Sequence, residues 1–402
     1  MYMRVSLSSV HRAAIIALLL CLISSPGFSV TRSKRRHRVR PQAATVHKVS
    51  VTHTSVTHST VEPASLVTRT TRTPSPIIQG GPWTKPTYAD STDGDNVDGE
   101  DLQIRRAAVE ALGPYNGSVV VVDPTNGRIL TMVNQKIALS SGFQPCSTVK
   151  VSVALAGLSE KAIDPNEKVR LGGMKMDMTY ALAHSNNLYF ATLGEKLGYQ
   201  KVAYYAHLFG YGEKAGLNIP AEQPGHYPSA PPKNGGVGML TSFGEEIQQT
   251  PLQLAALMSA ISNGGTLYYL QYPKNAAEVK DFVPKVKRHL EIASLIPKIE
   301  PGMRGAVEFG TAHRAREDGP IAGKTGTCSN DHTHLGWFGS YNQVGQRKLV
   351  VVVLLTGGRP AIGPLAAGIA GDLYHHLSTQ NYFGATQAVT PATLVTQHIC
   401  CR

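Results

Sequence analysis

The sequence predicts a mixed α/β fold of the α+β type: one sheet built from strands at both ends of the folded region, covered by helices, with a helical lobe inserted. Three observations lead there. Strand-like runs stand early, at 118–123 and 128–133, and again late, at 320–327, 335–341 and 349–356. The stretch between them reads as helical, opening with the apolar segment 147–158 (STVKVSVALAGL) and closing with a helix at 252–262. Residues 350–355 (VVVVLL) form an unbroken apolar run, the pattern of a central strand buried on both faces.

Taken in order, residues 1–29 read as an export signal. Arg4 and Arg12 give a charged start, 13–24 an apolar core of 12 residues, and Gly27 and Ser29 small residues for cleavage. Twelve residues are short for a bilayer span. An uncleaved anchor is the other reading, and the basic residues just beyond the apolar core argue against it. Residues 30–99 are rich in Thr, Ser, Val, Pro and His without apolar periodicity, and read as a disordered linker. Residues 1–85 hold twelve Lys or Arg and one acid, Glu62, whereas the whole chain has a formal net charge of +12. The rest is therefore close to neutral, which argues against a nucleic-acid partner. The basic run 31–40 (TRSKRRHRVR) suits anionic lipid head groups or wall polymers instead.

The acidic run 93–101 (DGDNVDGED) lacks a ligand and a glycine where an EF-hand needs them. It leads into a helix at Leu102–Leu112, whose positive end favours acids. The main domain is expected over 100–380, closed by a helix at 366–377. The tail 381–402 is uninformative apart from Cys400-Cys401. His47, His53 and His58 have no Cys or carboxylate partners, and His332 and His334 have no third ligand nearby. No metal and no cofactor is expected.

Three short motifs follow one another in the chain: Ser147-Thr148-Val149-Lys150, Ser185-Asn186-Asn187 and Lys324-Thr325-Gly326-Thr327. Singly, each has a plain structural reading as a solvated lysine, an N-cap or a strand-to-turn junction. Together and in this order they read as S-x-x-K, S-x-N and K-T-G, the signature of active-site-serine enzymes. The chemistry explains the residue types. A serine hydroxyl needs an adjacent base, and positions i and i+3 of a helix share a face, which sets Lys150 beside Ser147. Lys150 acts as base if burial and a second cation, Lys324, lower its pKa. Ser185 would relay a proton to the departing amine, and Asn187 would hydrogen-bond the substrate's amide. Lys324 and Thr325 would hold a substrate carboxylate. Gly326 would leave a clear path for an extended peptide. The backbone N–H groups of Ser147 and Thr327 would form an oxyanion hole.

From about Asn116 to about Ser378 the chain resembles the transpeptidase domain of penicillin-binding proteins. The matching segments are 117–135 (GSVVVVDPTNGRILTMVNQ), 143–150 (FQPCSTVK), 181–190 (ALAHSNNLYF), 242–265 (SFGEEIQQTPLQLAALMSAISNGG), Gly310-Thr311-Ala312, 322–327 (AGKTGT) and Gly336-Trp337-Phe338. Glu245-Glu246 depart from the Gln-Gly usual after Ser-Phe-Gly. The resemblance implies an antiparallel sheet, with the active site between sheet edge and lobe. It also implies a D,D-transpeptidase that acts on peptidoglycan stem peptides, is acylated by β-lactams, and is exported to the periplasm or cell envelope. A D,D-carboxypeptidase, a serine β-lactamase using Glu245 or Glu246, and a non-catalytic β-lactam sensor are the alternatives. Cys146 and Cys328 stand at offsets that resemble those bridged in class A carbapenemases. That likeness implies a disulfide across the site, in a compartment where it persists.

Overall fold

The computed structural model describes residues 83–384 apart from 317–318, 331 and 343–346. The expected export signal, most of the linker, and the tail with Cys400 and Cys401 lie outside the described residues.

The first elements are α1 (Leu102–Leu112), β1 (Gly117–Asp123), β2 (Arg128–Val133) and α2 (Gln135–Ala138), followed by a 3₁₀ turn (Cys146–Val149) and α3 (Lys150–Ser159). The lobe holds β3 (Val169–Leu171), β4 (Met174–Met176), α4 (Met178–Ala183), α5 (Asn187–Leu197), α6 (Tyr199–Leu208) and α7 (Gly236–Phe243). Then come α8 (Pro251–Ser262), β5 (Thr266–Tyr268), α9 (Ala276–Lys280), β6 (Val286–His289) and α10 (Ile296–Glu308). The chain closes with β7 (Ile321–Asn330), β8 (Thr333–Asn342), β9 (Val350–Gly357) and α11 (Gly363–Thr379). Among the described residues no helix is long and apolar enough to cross a membrane.

Five strands form one sheet in the order β2-β1-β9-β8-β7, each neighbouring pair antiparallel. The N-terminal hairpin docks on the last strand, with Val119 opposite Val353 and Val121 opposite Val351. Side chains alternate along a strand, and here both faces are covered. Val350, Val352 and Leu354 join Val120, Val122 and α8 in one core, whereas Val351, Val353 and Leu355 join Val119, Val121, α1 and α11 in the other. Two-sided burial is why this antiparallel strand carries an unbroken apolar run, a pattern more usual in parallel sheets. β7 is left at the edge.

Two helix starts are fixed by side-chain caps. Asp101 caps α1 by accepting from the backbone N–H of Gln103 and Ile104. Thr250 and Gln253 form a reciprocal capping box at α8, with Pro251 in its first turn. That cap fixes a helix whose residues 251–261 are all buried.

The linker is shorter than the sequence suggested, because 83–99 is packed against the domain. Asp95 accepts from the backbone N–H of Asn134 and Gln135 and pairs with Arg105 at 2.7 Å. The neighbouring Glu100 accepts from Thr131 Oγ1 at 2.6 Å, the Met132 N–H at 2.8 Å and the Tyr272 hydroxyl at 2.6 Å. The anchorage is largely polar, so no apolar period marks it. Burial holds the Glu100 carboxyl above the usual carboxylate range, and these hydrogen bonds oppose that shift.

Thr250→Ala should destabilise the domain by about 1 kcal/mol. In urea denaturation the midpoint should fall with the slope unchanged, and an unchanged midpoint would show that the cap contributes nothing.

Candidate active site

The first motif is a tight turn running into a helix. Cys146 sits at φ 52°, in the left-handed region that non-glycine residues seldom occupy. Residues Cys146–Val149 form the 3₁₀ turn and Lys150 opens α3. The sequence placed Ser147 and Lys150 together on an α-helix. A 3₁₀ turn eclipses i and i+3, so the pairing survives: Lys150 Nζ lies 2.9 Å from Ser147 Oγ.

Lys150 is fully buried. Its Nζ also lies 2.8 Å from the Ser185 carbonyl, 3.1 Å from Ser185 Oγ and 2.5 Å from Asn187 Oδ1. Two of these four partners, the carbonyl and Oδ1, only accept. A neutral amine has two hydrogens for them and a lone pair free to accept from a serine hydroxyl. The partner set can therefore accommodate the uncharged form. Burial acts the same way, lowering the Lys150 pKa from its ordinary 10.5 to about 7. The Phe190 ring, 5.8 Å from Nζ, contributes to the apolar surroundings.

Ser185 terminates α4. Its N–H donates to the Leu182 carbonyl, and the Asn186 N–H donates to that of Ala181. These two bonds define a Schellman cap, in which the residue at the Ser185 position takes the left-handed conformation and is usually glycine. Ser185 holds it at φ 57°. Such strain persists where the surroundings over-determine it. Asn186 then caps α5, accepting from the Tyr189 N–H. Asn187, the first residue of α5, is exposed and accepts from Lys150 through Oδ1.

The third motif lies on β7, at the sheet edge. Lys324 is fully buried and its Nζ donates to the Thr325 carbonyl at 2.9 Å. Burial first, and the Lys150 charge second, push its pKa well below the ordinary lysine value. The mutual effect expected from sequence thus falls on Lys324, while Lys150 responds to burial. Thr325 Oγ1 is 2.5 Å from Thr311 Oγ1, and Thr327 Oγ1 accepts from the Gly363 N–H at 2.8 Å. Gly326 has a packing reason that the sequence did not show. A Cβ there would lie 2.8 Å from the Pro145 carbonyl oxygen and 3.2 Å from Thr148 Cγ2. The missing side chain makes room for the turn that carries Ser147, which packs behind the strand.

Two further ties hold turn and strand together. Cys146 and Cys328 are joined by a disulfide with Cα atoms 5.6 Å apart. The buried Trp337 on β8 donates through Nε1 to the Gln144 carbonyl at 2.9 Å. Glu245 Oε2 accepts from Gln144 Nε2 at 3.0 Å, and Glu246 is exposed. Among the described residues neither glutamate hydrogen-bonds Ser147 or Lys150. Also among the described residues, no group of His, Cys, Asp and Glu side chains is placed to hold a metal. The sequence reading assigned no role to Thr311, Phe190 or Trp337. For Thr311 the signal was the Gly-Thr-Ala run, whose contact with Thr325 spans an irregular connection that sequence does not fix.

The family model for the penicillin binding protein transpeptidase domain matches residues 117–375. Stage V sporulation protein D of Bacillus subtilis is 26% identical over 306 residues, covering 65% of this chain and 47% of that protein. Peptidoglycan D,D-transpeptidase MrdA of Haemophilus influenzae is 24% identical over 353 residues, covering 66% of this chain and 54% of that protein. The chain spans about half the length of the curated relatives it matches. The crystal structure of Pseudomonas aeruginosa PBP2 in complex with WCK 5153 shares the fold, with a TM-score of 0.63 at 22% identity over 73% of this chain and 77% of that one. The match to the family model extends over most of the described sheet and lobe and includes all three motifs, so this chain belongs to the penicillin-binding protein transpeptidase domain family.

Proposed function

We propose that the chain is a peptidoglycan D,D-transpeptidase working through an acyl-enzyme on Ser147. The observation that carries this reading is the buried Lys150 amine, within 2.9 Å of Ser147 Oγ and 3.1 Å of Ser185 Oγ. Family membership and relatives named as peptidoglycan D,D-transpeptidases support it.

Ser147 Oγ attacks the carbonyl carbon of the penultimate D-Ala while neutral Lys150 takes the hydroxyl proton. The N–H groups of Ser147 and Thr327 hold the oxyanion. Collapse breaks the C–N bond, and the proton passes from Lys150 through Ser185 to the leaving amine, so terminal D-Ala departs intact. In the second half an acceptor amine attacks the ester carbonyl and the C–Oγ bond breaks. The amine's proton returns through Ser185 and Lys150 to Ser147. Lys324 and Thr325 hold the terminal carboxylate, and the Asn187 amide donates to the substrate. A D,D-carboxypeptidase would use the same groups with water as acceptor. With Glu245 engaged by Gln144, the penicillin adduct should be long-lived, unlike that of a β-lactamase. The work is placed outside the cytoplasm, where stem peptides are cross-linked and the Cys146–Cys328 bond persists. The basic run 31–40 is assigned to anionic lipid or wall polymers.

A fluorescent penicillin should label the protein once, on the peptide containing Ser147. Lys150→Ala should slow labelling by about 10²–10⁴-fold, and undiminished labelling of Ser147→Ala would refute the assignment. Because the neutral amine is the base, the acylation rate should rise with pH through about 7 and level off above it. A flat profile between pH 5 and 9 would remove Lys150 from that role.

Ser185→Gly separates chemistry from architecture. Glycine relieves the left-handed conformation, so the thermal midpoint should hold or rise, by up to about 1 kcal/mol in stability. Peptide turnover should fall by orders of magnitude for want of the hydroxyl. A lower midpoint with unchanged turnover would make Ser185 a structural residue.

A further inference from the structure

Beside Ser185 the surface is aromatic where folding alone gives no reason for it. Tyr180 is 45% exposed and Phe309 54%, and His184 is exposed with them. Their rings touch in series, with centroids 4.2 Å apart for Tyr180 and His184 and 5.8 Å apart for His184 and Phe309. Tyr180 and His184 stand one turn apart at the end of α4, whereas Phe309 arrives from the end of α10. Two glycines make that meeting possible. A Cβ at Gly305 would lie 2.6 Å from the Phe309 ring, and one at Gly310 would lie 2.2 Å from the Ala183 carbonyl oxygen. The Phe309 ring therefore lies back over α10 toward α4 instead of pointing into solvent.

The position of this cluster says what it would meet. His184 directly precedes Ser185. Phe309 is two residues before Thr311, whose hydroxyl is 2.5 Å from that of Thr325. In the mechanism proposed above, Ser185 faces the departing amine and Thr325 the carboxylate attached to it. The cluster thus borders the leaving-group side of the cleft. Once the terminal residue has gone, the acceptor amine must approach the ester from that same side, since aminolysis retraces the path of acylation. Aromatic faces suit such a visitor twice over: they cover methylene and methyl groups, and they attract an ammonium before it is deprotonated.

We propose that Tyr180, His184 and Phe309 form the acceptor wall, against which the apolar stem of an incoming primary amine packs while its nitrogen meets Ser185. The proposal rests on the transpeptidase reading and deepens it by naming what selects the acceptor.

The test is the partition of an acyl-enzyme, made from a thioester analogue of the donor peptide, between aminolysis and hydrolysis. This ratio does not depend on how much of a variant preparation is active. Glycine, D-alanine and D-norleucine serve as acceptors at equal concentration. For the unmodified protein the ratio should rise along that series. His184→Ala and Phe309→Ala should flatten the rise and lower the D-norleucine ratio about tenfold or more, whereas Phe309→Leu should retain most of it. Tyr204→Ala, which removes an exposed ring on α6, should leave the ratio as it was. Unchanged ratios in both wall variants, with acylation intact, would overturn the wall and leave the transpeptidase reading standing. A fall in Tyr204→Ala as large as in the wall variants would overturn it too. If neither the thioester nor penicillin acylates the unmodified protein, the transpeptidase reading itself fails and the wall with it.

Discussion

A lysine amine cut off from water is the constraint around which this domain is arranged. A charged ammonium in the interior is costly unless it is fully paired, and among its described contacts Lys150 has no carboxylate. The alternative is to give up the proton and use the lone pair. Each neighbour fits that outcome. Two fixed acceptors take the amine's hydrogens, a serine hydroxyl can donate to its lone pair, and Phe190 and the packed lobe exclude water. Lys324, equally buried, is affected in turn: burial and the Lys150 charge lower its pKa. A group whose pKa falls to about 7 is partly neutral at that pH, and in the proposed mechanism that neutral fraction is the base.

That solution requires three distant stretches of chain to be held within a few ångströms, and the fold shows how. The sheet supplies a fixed edge because its central strand is buried on both faces. The nucleophile turn is pressed against that edge through Gly326, tied by Cys146–Cys328 and fastened by Trp337 to Gln144. The lobe brings Ser185 on a strained helix end. Two residues beside the chemistry, Cys146 and Ser185, lie in left-handed backbone conformations that neither favours. Stability is given up locally where geometry matters most.

What the sequence made legible was what local physics decides. α1 was readable from the acidic run that leads into it, α8 as a helix over 252–262, and the central strand from its valines. The three motifs were readable because their order compensates for their brevity. What depends on three-dimensional approach was not. The turn that carries Ser147 is 3₁₀ rather than α, with the Thr148 N–H donating to the Pro145 carbonyl and Cys146 in a left-handed conformation. The end of the linker packs through Asp95 and Glu100, whose partners lie on β2, α2 and near β5 and leave no period in the sequence. The crowding of Gly326 by the turn behind it was not legible, because a pattern of residues does not say which face of a strand is crowded. The contact of Thr311 with Thr325 and the aromatic series from Tyr180 to Phe309 arise only when α4, α10 and β7 converge.

The proposed chemistry depends on the ionisation of one side chain, which can be read directly. With lysines labelled at Cε, and Lys150→Arg used to assign its signal, the resonance of Lys150 should titrate with a midpoint near 7 in the unliganded protein. A midpoint near the ordinary lysine value of about 10.4 would mean that the amine is charged at neutral pH. The base would then have to be sought elsewhere.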